Sequence, residues 1–200
     1  AHELRPAIAN LNIYEKNNIT NATLSIRLNL EAIIAGVDSG HSNTEDSEKS
    51  DEYDNLRNMS TAELLEKFNS KIINLQNKVY LTSASSSYSL ALMNIDIPKI
   101  GNTDIIRDTI INFDIKDIKD KDLKFSWDKD LGSIILRVNS KNNEDLYSKL
   151  IETGEVSDWF SLTDKREEKF TDNIKSYTQL GFKHIIPKGL DHILFVLALF

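Results

Sequence analysis

From residue 22 to residue 30 the chain alternates: Ala22, Leu24, Ile26, Leu28 and Leu30 point one way, and Thr23, Ser25, Arg27 and Asn29 the other. A period of two with one polar face predicts a half-buried β-strand. Similar alternation runs through Tyr88, Leu90 and Leu92, through Leu123, Phe125 and Trp127, and through Ile134, Leu136 and Val138. Residues 105–115 are richer in isoleucine and read as a fully buried strand, while Leu11 to Glu15 reads as the first strand. About six strands separated by polar turns predict an antiparallel β-sandwich-like domain. The fold class expected is mainly β with helices (α+β).

Two departures from period two predict helices. Ser60-Thr61-Ala62-Glu63 has capping-box spacing, and Leu64, Leu65, Phe68, Ile72 and Leu75 follow at helical intervals, so an inserted helix is expected over 60–77. A second capping box, Asp164 to Glu167, opens an amphipathic helix over 163–180 with Phe170, Ile174 and Tyr177 along one side. In a soluble protein that helix would cover the sheet; beside a membrane it would lie in the interface plane. The last eight residues, Ile193 to Phe200, are apolar without a break. Such a run is either a terminal core helix or the opening of a transmembrane helix, which needs roughly 20 apolar residues. A core helix shows polar residues every three or four positions, and 193–200 has none, which favours the membrane. The expected organisation is therefore a β-rich domain over 1–162, the amphipathic helix over 163–180, and the start of a transmembrane helix over 181–200.

Charge is unevenly spread. Of a net charge of -7, residues 38–54 supply seven acids against the single Lys49. Like charges extend a chain, so 38–57 is expected to be a solvated acidic loop; it lacks the ligand spacing of an EF-hand. The other reading is a weak attractor of divalent cations, with His41 as a nitrogen ligand. An acidic balance argues against nucleic acid as the main partner. With no cysteine there is no thiolate metal site, disulfide or cysteine nucleophile. No phosphate loop, dinucleotide fingerprint, Gly-x-Ser-x-Gly elbow or His-Glu-x-x-His is present, and an enzyme is not expected. The opening Ala1-His2-Glu3-Leu4-Arg5-Pro6 reads as a mature start left by signal-peptide removal, the other reading being a fragment with arbitrary ends.

The informative cluster is His184, Pro187, Lys188, Gly189, Asp191 and His192. Imidazoles with a carboxylate suit nickel, cobalt or zinc better than calcium or magnesium. On a straight helix His184 and Asp191 share a face but lie roughly 10 Å apart along the axis, too far for one ion. Pro187 and Gly189 can break the helix between them and fold His184 back. Against this, Asp191 and His192 can form a simple structural pair, and the charge of Lys188 opposes a neighbouring cation. His2 offers a separate chelate, through its imidazole and an N-terminal amine.

The run Gly181-Phe-Lys-His184-Ile-Ile-Pro187-Lys188-Gly189-Leu-Asp191-His192-Ile-Leu-Phe-Val-Leu closely resembles the first membrane segment of the HupE/UreJ family of bacterial nickel or cobalt permeases. The opening His2-Glu3-Leu4-Arg5-Pro6-Ala7 is similar to that family's extracytoplasmic domain. So are Leu30-Glu31-Ala32 through Gly36-Val37-Asp38, and Tyr53-Asp54-Asn55-Leu56-Arg57. The resemblance implies a periplasmic β-rich domain ahead of a multi-helix domain in the bacterial inner membrane. It implies that His184, Asp191 and His192 match the family's histidine–aspartate–histidine signature, which takes Ni2+ or Co2+ as the transported ion. One spacing differs: six residues separate His184 from Asp191, where better-known members have five. The partners implied are a lipid bilayer and a divalent metal ion. The competing function is a membrane-tethered periplasmic interaction or metal-sensing module without transport.

Overall fold

The longest strands, β1 (Ala7–Lys16) and β2 (Ile19–Asn29), form a hairpin turned by Asn17 and Asn18, both at positive φ (53° and 59°). Two left-handed residues match the right-handed twist of the flanking strands, and asparagine tolerates that conformation better than most side chains. The structure, a computed structural model, describes residues 2–37, 41, 43–71, 75–142 and 144–163. The chain divides into Ala1–Lys165 and Arg166–Phe200, and the description concerns the first unit. The amphipathic and transmembrane segments expected over 163–180 and 181–200 lie outside the described residues, apart from Thr163. Among the described residues no helix is long and apolar enough to cross a membrane.

The unit is mainly β. The remaining strands are β3 (Val79–Thr82), β4 (Ser87–Tyr88), β5 (Ala91–Asp96), β6 (Asp108–Ile115), β7 (Asp122–Trp127), β8 (Ile134–Asn139), β9 (Asp145–Ile151) and β10 (Phe160–Ser161). One sheet runs β5-β6-β2-β1-β8-β9 and the other β10-β7-β3-β4. The pairings are antiparallel except β1 with β8, which run parallel from Ala7↔Ile134 to Asn12↔Asn139. That pair departs from the antiparallel expectation because β7 belongs to the other sheet. The chain returns from it to enter β8 in the same direction as β1, and such a return is the crossover that parallel pairing requires.

Alternation places the core. Leu11, Ile26, Phe113, Leu136 and Val138 from the first sheet are fully buried, and Leu123, Phe125 and Phe160 from the second join the same apolar cluster. Removing that area from water supplies the main stabilisation, at roughly 25 cal/mol per Å².

Three helices close one end of the first sheet: α1 (Leu30–Ala35), α2 (Ser50–Arg57) and α3 (Thr61–Lys71). Asn29 caps α1 through its side chain onto the Ala32 N–H, and Gly36 ends it at φ 73°, a conformation that costs glycine little. The Ser60–Glu63 capping box opens α3, with Ser60 N–H donating to Glu63 Oε2 at 2.8 Å and Glu63 N–H to Ser60 Oγ at 3.3 Å. This helix reaches Lys71 rather than residue 77, and a 3₁₀ turn, Leu75–Lys78, leads into β3.

Three expectations need correction. The acidic segment is not all loop, because Ser50–Arg57 is helical. Asp51 and Glu52 sit in its first turn and Arg57 in its last, which suits the helix dipole, and Tyr53 and Leu56 anchor it in the core. Residues 105–115 do not form one buried strand. Strand begins at Asp108 and alternates buried with half-buried, while Ile105 stands 65% exposed in the preceding loop. The strand expected through Tyr88 to Leu92 is broken into β4 and β5, and β5 is an almost wholly exposed edge with a register shift between Leu92 and Asn94.

Candidate functional site

The conspicuous chemistry of the described residues lies at the helix-capped end. Glu31, in the first turn of α1, is wholly buried. Its Oε1 accepts from Arg107 Nε at 2.7 Å and from Arg57 Nη1 at 3.2 Å. Both guanidiniums are themselves buried, at 5% and 3% exposure. Arg107 spends its remaining donors on Met59 O (3.0 Å) and Leu56 O (3.2 Å), carbonyls at the C-terminal end of α2. Arg57 Nη2 donates to the carbonyls of Ile105, Thr103 (3.4 Å) and Asn102 (3.5 Å). One carboxylate therefore ties α1, α2 and the 97–107 loop together through two arginines.

Three groups form the margin of this network. Asn29 Nδ2 donates to the Tyr53 hydroxyl at 3.2 Å, and burial raises the Tyr53 pKa above its ordinary value. The His2 ring meets Tyr53 edge-on, 5.4 Å between centroids. Its backbone N–H donates to Thr44 Oγ1 at 3.0 Å, and its carbonyl accepts from the Thr44 N–H at 2.9 Å. Burial, and then the positive charge of Arg57, hold the His2 imidazole below its usual pKa. Two guanidiniums against one carboxylate leave one excess positive charge in the interior, and a neutral His2 avoids adding to it.

Within the network the bonds join Glu31 to two guanidiniums and those guanidiniums to backbone carbonyls, an arrangement that ties chain segments together. Among the described residues no group of three or more His, Asp or Glu side chains is placed to hold a metal ion. A cleft of about 90 Å³ lies nearby, floored by Ala7, Leu28 and Ala32 and flanked by Arg5 and Asp130. It is well below the roughly 300 Å³ at which small-molecule pockets begin.

Of the candidate ligands, His2 lies in this buried corner, and His184, Asp191 and His192 lie outside the described residues. Glu31, Arg57 and Arg107 carry no motif. The available signal is the charged Glu31 inside the apolar run Leu30–Ala35, a position that burial makes expensive without a partner. Glu31, Tyr53 and Arg57 belong to the segments that carry the weaker part of the resemblance.

No curated protein matches the chain. Residues 161–200 match the family model described as HupE / UreJ protein. The match covers the last fifth of the chain and includes the His184–His192 cluster and the apolar run after it.

Proposed function

We propose that the chain is the extracytoplasmic domain and first membrane segment of a HupE/UreJ-like bacterial inner-membrane protein that takes up a divalent metal, nickel or cobalt. On this reading residues 1–162 form a periplasmic domain whose two sheets pack as a sandwich. Residues 163–180 lie at the membrane surface, and 181–200 begin the first transmembrane helix. The observation that carries the reading is the family match over 161–200, which contains both the apolar run and the histidine–aspartate–histidine cluster. Ionisable residues at membrane depth are costly and mark ion pathways, and interrupted helices line such sites. His184, Asp191 and His192 are the proposed ligands, with Pro187 and Gly189 breaking the helix between them. The His2 ring serves packing. The role is transport rather than catalysis, and the metal is cargo.

The test is nickel and cobalt accumulation in cells carrying the full-length protein. Asp191→Asn is expected to abolish accumulation at unchanged protein level. Wild-type uptake in that variant sinks the ligand assignment. No uptake by the unmodified protein favours the second reading, a membrane-tethered periplasmic interaction or sensing module. That alternative draws on the clamped loop beside α2.

A further inference from the structure

Seven large hydrophobic side chains are conspicuously exposed among the described residues, and four of them, Leu92, Met93, Ile100 and Ile105, fall between Ala91 and Ile105. Single exposed apolar residues are ordinary. Leu92 and Met93 lie along β5, Leu92 opposite Phe113, while Ile100 and Ile105 both lie in the loop that follows the strand.

The loop is also held in place. Arg57 reaches from α2 to the carbonyls of Asn102, Thr103 and Ile105, and Thr61 Oγ1 donates to Ile97 O and Pro98 O, both at 3.3 Å. Loops are usually the mobile part of a fold. This one is anchored through a buried ion network, a device that often contributes no more stability than apolar packing in the same volume. What the anchoring does achieve is to fix Ile100 and Ile105, 45% and 65% exposed, in position on the surface.

The neighbouring surface is acidic. Asp51 and Asp54 are exposed on α2, one turn apart, and Asp54 is close enough to bear electrostatically on the His2 ring, as is the Thr103 backbone. Asp104 is exposed between the two isoleucines; of the basic side chains of the loop, Lys99 is exposed beside Ile100 and Arg107 is buried on Glu31.

We propose that the 97–107 loop together with the exposed face of α2 is a docking surface for a basic, amphipathic helical segment of a partner protein. The apolar side of that segment seats on Ile100 and Ile105, and its lysines or arginines face Asp51, Asp54 and Asp104. Charge complementarity selects this occupant. The bulge at Met93 disrupts the β5 edge and argues against pairing by an added strand. The surface stands whether or not the protein transports metal.

The test uses the full chain in an uncharged detergent and an 18-residue Lys/Leu amphipathic helix carrying a photoreactive group, with its Glu/Leu counterpart as control. Irradiation followed by mass spectrometry is expected to map the Lys/Leu peptide to 97–107 and 50–57, and the Glu/Leu peptide to neither. Ile105→Ser should reduce that labelling about tenfold, as for loss of a central apolar anchor. Asp51→Lys with Asp54→Lys should reduce it about fivefold, more at low salt, while Val156→Ser, elsewhere on the surface, should leave it unchanged. Labelling elsewhere, equal labelling in the variants, or labelling by the Glu/Leu peptide at the same residues overturns the proposal. Cross-links between two copies of the chain at 97–107, or labelling of those residues by a photoreactive lipid in vesicles in place of the peptide, overturns it in favour of self-association or a membrane face.

Discussion

The centre of the first sheet and its helix-capped end are held by different physics. At the centre, Leu11, Ile26, Phe113 and Leu136 remove apolar area from water, a non-directional gain spread over many contacts. At the capped end, α1, α2 and the 97–107 loop meet on the buried Glu31 Oε1 and on bonds from two buried guanidiniums to backbone carbonyls of α2 and the loop. The first arrangement degrades gradually as volume is lost. The second depends on one carboxylate.

The sharpest test of that contrast is Glu31→Ala, which leaves two arginines buried without their counter-charge. It should cost about 3–5 kcal/mol in urea unfolding. Replacing Glu31, Arg57 and Arg107 together by leucine and methionines should recover most of this, because the penalty lies in the unpaired charge rather than in the missing pair. A triple variant as unstable as Glu31→Ala would show that the carbonyl bonds, not the ion pairing, hold this end. In the sheet, Leu136→Met keeps volume and should cost less than about 1.5 kcal/mol by the same measurement. A larger loss would mean that the centre is as exacting as the cap.

The smallest expected effect is on pH dependence. Burial and the charge of Arg57 hold the folded-state pKa of His2 below the ordinary imidazole value of about 6.5. The unfolded chain therefore binds more protons in that window. Its contribution is intact above 6.5 and is lost as pH falls through the lowered folded value. Unfolding followed from about pH 8 to about pH 5 should show this acid-side slope, and His2→Phe should flatten it without loss at neutral pH. An unchanged slope would assign the acid sensitivity to other groups.

Local patterns exposed much of the sheet and little of the cap. Alternation at 22–30, 123–127 and 134–138 appears because one face of each strand meets the core, and the Ser60–Glu63 pair signals its helix start within four residues. The α2 helix stayed hidden because its acids dominate the composition, while the side chains that fix it, Tyr53, Leu56 and Arg57, find their partners at Asn29, Glu31 and residues 102–105. Long-range pairing of that kind leaves no periodic trace. The β5 edge is hard to read for a related reason: its apolar residues look like core residues until the sheet order places them on the outermost strand of the described sheet. The His184–His192 cluster was legible as a motif, and its functional role rests on the uptake experiment.

The parallel contact between β1 and β8 also has a temporal side. Ala7 waits for Ile134, so the interior of the first sheet cannot be completed until more than a hundred further residues have emerged. Until then the hairpin offers an open hydrogen-bonding edge, of the kind that captures other nascent chains. High contact order of this sort slows folding. Fragments ending before residue 134 should therefore aggregate rather than accumulate as soluble intermediates.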